Sequence, residues 1–287
     1  MVRVIGIGDN VCDKYRHLDL MFPGGQALNV AVYSRMKGCT SAYLGVFGDD
    51  AVALHVIQTL QLLGVDTSHC RHVSGENGYA VIDVVDGDRV FVCSNKGGVL
   101  KTNPIVLEQK DLDYIAGFDW IHTSNNSYLD AELPKLAGLD RFVSYDFSTT
   151  WKEEARAKGI CQWVDAGFLS CSGLDEAEVQ EQLQKMVGWG CRIAVATMGS
   201  QGAMVWDGDS FYPAEALPVT VVDTLGAGDS FAAGFLMEYV QQIVFHSLTP
   251  GSTPYIDAMQ RALAAAAALS AETCMRQGAF GYGTKLS

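Results

Sequence analysis

Short β-branched runs alternate with longer amphipathic stretches along most of this chain, and that alternation narrows the fold more than any other feature. "VRVIGIG", "SAYLGVFG", "WIHTS", "RFVSYDF" and "RIAVATMG" read as strands, while residues 25–37, 50–63, 229–247 and 255–276 carry the apolar spacing of helices. Such repetition buries each strand on both faces, because every crossover helix packs back onto the sheet. The pattern predicts an α/β fold with a parallel sheet between helical layers. One segment breaks it. "YAVIDVVDGDRVFVCSN", residues 79–95, is two β-rich runs joined by Asp-Gly-Asp, a hairpin pattern. Its apolar Val81, Val85, Val90 and Val92 are interspersed with polar residues, as in a small sheet covering a pocket on one face. A hairpin projecting from an α/β body predicts a lid.

With 287 residues, 48% of them hydrophobic and 18% charged, the chain has ample material for a core. No internal repeat or low-complexity linker divides it, so residues 1–287 are expected to form one domain apart from the lid. Thirty-three acidic against 20 basic side chains leave a net charge of −13, which opposes a sequence-independent grip on nucleic acid or on an anionic membrane. The most apolar helical stretch, "ALAAAAALSA", is flanked by Asp257, Arg261 and Glu272 and stops short of the ~18 residues of a membrane span. "MVRVIGIGDN" has no signal-peptide layout. The eight cysteines form no Cys-x-x-Cys pair and read as buried thiols in a reducing cytoplasm, where the protein is expected to reside.

The chemistry concentrates in "VVDTLGAGDSFAAGF", residues 221–235. In an open α/β sheet, ligands bind beyond the carboxyl ends of the strands, where the turn into the next helix leaves backbone amides free. Gly226, Ala227 and Gly228 would present N–H groups at a helix N-terminus, whose dipole favours an anion. Asp229, read as the first helical residue, places a carboxylate beside that anion site. It would repel a phosphate unless it serves as general base for an incoming hydroxyl. The alternative is a helix N-cap, a role for which Asp is well suited. This stretch alone leaves both readings open.

"DTLGAGDSFAAGF" resembles the C-terminal signature of the ribokinase-like (PfkB-type) carbohydrate kinases, and "PGGQALNVAVYSRMKG" resembles their N-terminal one. The likeness continues through "GVFGDD", "LLGVDTSH", "VATMGSQGAMVW" and the hairpin, covering nearly the whole chain. It implies a three-layer α/β/α sandwich with a mostly parallel central sheet and a small β lid built from parts of about 10–22 and 78–96. It also implies ATP and Mg²⁺ as cofactors and a small-molecule sugar or sugar-amine as substrate. Asp229 matches the family's catalytic base, and Gly226, Ala227 and Gly228 match its anion hole. Asp13, Gly24, Gly25 and Asn29 match positions that bind sugar hydroxyls, while Thr197, Gly199, Ser200 and Gly202 match the loop along the nucleotide phosphates. Asp223 falls where many relatives hold a monovalent cation such as K⁺. Glu176 matches a residue near the magnesium, although Gly173 stands where relatives carry Asn. A homodimer through the β lid is a further expectation.

"GIGDNVCDKY" and "DGDRVF" look most like the fructosamine-phosphorylating branch, typified by fructoselysine and its 6-hydroxyl. On that reading Asp9 and Asp13 meet the substrate's ammonium and hydroxyls, and Arg89 meets its carboxylate. Two alternatives remain: a kinase for a plain ketose, ribose or nucleoside, and a non-catalytic sugar or nucleotide sensor of the same fold. "GIGDNV" lacks the third glycine of a dinucleotide fingerprint, and no Gly-Lys-Ser/Thr occurs. His69 and His72 lack an obvious third metal ligand and read as surface histidines.

Overall fold

The computed structural model describes residues 1–85 and 88–286, with side chains for all of these except 84, 85 and 88–90. Its strands are β1 (Arg3–Gly8), β2 (Val11–Tyr15), β3 (Leu20–Gly24), β4 (Thr40–Phe47), β5 (Arg71–His72), β6 (Gly78–Val85), β7 (Asp88–Ser94), β8 (Trp120–Ser124), β9 (Phe142–Ser148), β10 (Ala166–Ser170), β11 (Ile193–Thr197), β12 (Ala203–Trp206), β13 (Phe211–Ala214) and β14 (Thr284–Lys285). Its α-helices are α1 (Gln26–Met36), α2 (Ala51–Leu63), α3 (Val99–Thr102), α4 (Gln109–Ile115), α5 (Leu133–Ala137), α6 (Glu154–Cys161), α7 (Glu176–Gly188), α8 (Ala227–Tyr239) and α9 (Thr253–Cys274).

Because successive side chains on a strand point to opposite faces, the strands feed two separate cores. Val4, Phe168, Ile193 and Val195 pack with α1, α2, α8 and α9 on one side. Ile5, Ile7, Leu169, Ala194 and Ala196 pack with α4, α5, α6 and α7 on the other. The order of this sheet is β13-β12-β11-β10-β9-β8-β1-β4-β5. All neighbours from β11 to β5 are parallel, and β12 and β13 add an antiparallel hairpin at one edge. The chain steps from β1 to β4 on one side and later returns to β8 on the other. Strand order reverses at β1, the place where such sheets open a crevice.

The second sheet has the order β14-β3-β2-β6-β7. Tyr15, Phe22 and Ile82 form a small core of their own within it. Val81 and Ile82 are both buried, and the pairing of β6 with β7 shifts register between them. Val92 is exposed, as is Phe91, because β7 is the edge strand. Cys93 is exposed for the same reason, which corrects its reading as a buried thiol. The side chains of Val85 and Val90, and residues Asp86 and Gly87, lie outside the described residues.

Two boundaries differ from the periodicity. The helix read to residue 247 is α-helical only to Tyr239 and continues as a π-helical turn over Val240–Val244. The short strands β10, β12 and β13 carry little pattern of their own. Pairing with neighbours defines them. Among the described residues no helix is long and apolar enough to cross a membrane.

Candidate active site

Helix α8 begins at Ala227 with Gly226 as its N-cap, so Asp229 is the third helical residue rather than the first, and its side chain makes no capping bond. Gly226 has a left-handed backbone (φ 72°), and a Cβ there would stand 2.7 Å from Tyr33 Oη and 2.9 Å from Ala279 Cβ. Two requirements thus select glycine at that turn. The Ala227 N–H donates to Thr224 O, whereas those of Gly226, Gly228 and Asp229 have no protein acceptor among the described residues. Beside Gly228 the Cβ direction is open, with nothing within 4 Å. The helix start therefore presents free donors to open space, the arrangement an anion requires.

Asp229 is buried and accepts a 2.6 Å hydrogen bond from Asn29 Nδ2 on α1. Burial pushes its carboxyl up to about 8, the negative field of Asp146 adds to the rise, the Asn29 amide opposes it, and Asp9 and Asp13 raise it further. Asp146, near the end of β9, is itself pushed up to about 6 by burial, against the pull of the Ser148 N–H and the Gln26 amide and with a further rise from Asp9. Asp9 follows β1, and β8 ends at Ser124, which pairs in register with Asp146. Three adjacent strands thus deliver Asp9, Ser124 and Asp146 to one carboxyl edge.

Asp9 is only 4% exposed and both its oxygens are hydrogen-bonded. They accept from the Gln26 N–H (2.7 Å), the Ala27 N–H (3.1 Å), Ser124 Oγ (2.8 Å) and Ser127 Oγ (3.1 Å), capping the start of α1. Gly25, with φ 114°, makes the turn into α1, and a Cβ there would stand 2.7 Å from Asp9 O. Asp13, Gly24 and Asn29 converge: a Cβ on Gly24 would lie 2.8 Å from Asp13 Oδ2 and 3.9 Å from Asn29 Oδ1. Asn29 Oδ1 is buried and has no hydrogen-bond partner.

On the other side of the α8 start opens a cavity of about 710 Å³. Thr197, Gly199, Ser200 and Gly202 line it together with Ala227 and Gly228, and the loop from Glu215 to Val221 forms another wall. Glu176 is not among its lining residues; it starts α7, is exposed and accepts from Gln180 Nε2. Asp223 accepts from Tyr15 Oη (2.6 Å), the Leu225 N–H (3.0 Å) and the Gly278 N–H (3.0 Å), tying the second sheet and the C-terminal segment to the loop before α8. Among the described residues no group of three or more His, Cys, Asp or Glu side chains is placed to hold a metal. His69 instead stacks on Tyr114 at 3.8 Å. The Arg89 side chain lies outside the described residues.

Sequence reasoning missed Asp146, Gln26, Ser124 and Ser127. Asp146 had a signal: a lone carboxylate near the carboxyl end of the apolar run "RFVSYDF", where sheets of this class bind ligands. The two serines and Gln26 had none, since only the packing of α1 against β1 and β8 brings them to Asp9.

A cavity beside free helix-terminal donors and a buried carboxylate suits a phosphotransferase of the α/β class, and comparison with known proteins agrees. Residues 16–142 and 164–276 match the model of the pfkB family of carbohydrate kinases, to which this chain belongs. It is 39% identical over 284 residues to fructosamine kinase FrlD of Bacillus subtilis (strain 168), spanning 98% of this chain and 94% of that protein. It is 33% identical over 230 residues to fructoselysine 6-kinase of Escherichia coli (strain K12), spanning 80% and 86%. Among solved structures, Arabidopsis thaliana ribokinase complexed with ribose and ATP superposes with TM-score 0.79 at 17% identity, covering 98% of this chain and 95% of that one. Fructokinase from Vibrio cholerae O395 superposes with TM-score 0.75 at 22% identity, covering 98% and 96%. The fold is ribokinase-like, and the protein is an ATP-dependent carbohydrate kinase acting on a small-molecule sugar.

Proposed function

We propose that this kinase transfers the γ-phosphate of ATP to the 6-hydroxyl of a fructosamine such as fructoselysine. The observation that carries the chemistry is the Asn29–Asp229 pair at a helix start whose free N–H groups face the nucleotide-sized cavity. The printed names of the relatives with 39% and 33% identity support the sugar.

In this mechanism the nucleotide lies along Thr197, Gly199, Ser200 and Gly202 with its terminal phosphates at Gly226 and Gly228. Asp13 and Asn29, with the backbone of Gly24 and Gly25, hold the sugar so that its hydroxyl approaches Asp229. As that oxygen attacks the γ-phosphorus, Asp229 takes its proton and charge moves to the leaving phosphate, where the helix-terminal donors stabilise it. A carboxyl held at about 8 matches a proton acceptor working near neutrality better than an ordinary aspartate. Asp9 acts by fixing the start of α1, hence Asn29.

Mg²⁺ is proposed to be carried mainly by the nucleotide phosphates. A monovalent cation such as K⁺ beside Asp223 is proposed from position alone. Equal activity in potassium and tetramethylammonium salts would overturn it. Arg89 is proposed to meet the substrate's carboxylate, and pairing of two copies through the lid is supported by the exposed Phe91 and Val92 on its edge. Light scattering in solution tests the pairing.

The substrate is tested by comparing kcat/KM for fructoselysine, other fructose–amino acid conjugates, fructose and ribose in an ADP-release assay. If fructose or ribose equals the best conjugate, the fructosamine assignment fails. If Arg89→Ala weakens conjugates and fructose equally, the carboxylate contact fails.

A further inference from the structure

The sheet that carries Asp13 also grips the loop that builds the helix start of α8. Tyr15 ends β2 on the same face as Asp13, since the two stand two residues apart. It pairs with Leu20 of β3 and Ile82 of β6, and its ring lies edge-on to Phe22 with the ring centres 5.3 Å apart. Strands on both sides thus fix where its hydroxyl points. That hydroxyl donates to Asp223 Oδ2 at 2.6 Å, 208 residues further along the chain, and both side chains are buried. A hydroxyl-to-carboxylate bond shielded from water is among the stronger hydrogen bonds.

Asp223 passes that hold on to α8. Residues 215–226 form neither helix nor strand, so a few bonds rather than a ladder fix the approach to the helix. The Val222 and Asp223 N–H groups donate to Cys274 O. Asp223 Oδ1 accepts from the Leu225 N–H (3.0 Å), a side-chain turn that shapes residues 223–225, while Oδ2 also accepts from the Gly278 N–H (3.0 Å). The Ala227 N–H then bonds Thr224 O (3.2 Å), so two overlapping turns lead from Asp223 into the left-handed Gly226. Packing follows the same route. Leu225 lies against the small core of Tyr15, Phe22 and Ile82, and a Cβ on Gly278 or Gly283 would run into the Phe22 ring. The direction of the Gly226 and Gly228 N–H groups is therefore set from the second sheet, through Asp223.

We propose that Tyr15 is a positioning residue for phosphoryl transfer, its hydroxyl holding the Gly226 and Gly228 amides on the terminal phosphates by way of Asp223. This inference rests on the phosphate-site reading above and not on the identity of the sugar. A residue that served only as a wall over the acceptor would change acceptor binding. One that acts through Asp223 changes how tightly the terminal phosphates are held and how well the charge building on them is stabilised.

The test uses Tyr15→Phe, which removes the hydroxyl and keeps the ring against Phe22. Calorimetry without acceptor, at constant salt, measures binding of a non-hydrolysable ATP analogue and of AMP, and an ADP-release assay gives KM for ATP and for the best acceptor of the panel above. The variant should lose ~10-fold or more in affinity for the analogue and in kcat/KM for ATP, the scale of one hydrogen bond to a charged group, while AMP affinity and acceptor KM stay within ~3-fold. Asp223→Asn should show the same split, and the double variant should be no worse than the more impaired single one. If Tyr15→Phe raises acceptor KM and leaves the nucleotide parameters in place, Tyr15 is a wall of the acceptor pocket and the inference is wrong. If the two single losses multiply in the double variant, Tyr15 does not act through Asp223 and the inference is wrong. If Asp223→Asn leaves analogue affinity unchanged, the route to the amides is wrong whether or not Tyr15→Phe folds. If wild type binds the analogue no more tightly than AMP, the phosphate-site reading fails first and takes this inference with it.

Discussion

Replacing Asn29 by Leu removes the amide that helps hold Asp229 ionised. The bond is 2.6 Å long and buried. A hydrogen bond to a charged group contributes ~1.5–3 kcal/mol, and about 1.4 kcal/mol moves a pKa by one pH unit. The Asp229 carboxyl, already at about 8, should therefore rise by ~1–2 pH units in the variant. Only the ionised base accepts a proton, so activity is lost on the acid side, and the acid limb of the pH profile should move upward by that amount. Near neutral pH the variant should lose ~10- to 100-fold beyond any loss at the alkaline plateau. The assay is kcat/KM for the acceptor at saturating ATP, followed from about pH 6 to 10. Loss of the Asn29 Oδ1 contact lowers the plateau without moving the limb, so the two effects separate. A limb that stays in place, or moves to lower pH, refutes the argument that this amide controls the charge on Asp229.

Asp229→Asn should lower kcat by ~10²- to 10⁴-fold while nucleotide affinity stays within a few fold, and a variant keeping a tenth of wild-type kcat removes Asp229 from the role of base. The same variant reports on stability. With its folded value raised to about 8, Asp229 contributes stability that is full below its ordinary value of 3.8 and is lost as pH rises through 8. The melting advantage of Asp229→Asn over wild type should therefore grow between pH 6 and pH 9, by ~2–3 kcal/mol, and a constant difference would contradict the raised pKa. At the neighbouring glycines, Gly228→Ala has open space and should leave stability unchanged or raise it by up to ~1 kcal/mol while increasing the KM for ATP. Gly226→Ala meets Tyr33 and Ala279 in a left-handed turn and should lower the melting temperature; the opposite ranking in a thermal-shift assay would count against the geometry. Shortening the hairpin around residues 85–88 should raise both the acceptor KM and the ratio of ATP hydrolysis to transfer, and no change in either means that it excludes no water.

Local pattern carried the strands that alternate with helices, because a strand buried on both faces must be apolar along its length and its crossover helix must be amphipathic. The Gly-rich turn at Gly226 was equally legible, since a left-handed residue pressed against Tyr33 and Ala279 leaves glycine little competition. Local pattern failed where neighbours define the structure. The strands β10, β12 and β13 are short and take their form from pairing. The register shift between Val81 and Ile82 needs β7 beside it. Asp9 shows the same limit within the site: as a residue near a glycine turn it reads as a substrate ligand, yet the approach of α1, Ser124 and Ser127 surrounds it with donors. By itself, then, the sequence determined the layered α/β architecture, the helix start that presents amides and the carboxylate beside it, because each depends on periodicity or on backbone geometry within a few residues. Only the tertiary structure decided that Asp229 is buried against Asn29 and that its carboxyl is pushed upward, because the two residues stand 200 positions apart and meet only when α1 packs beside α8.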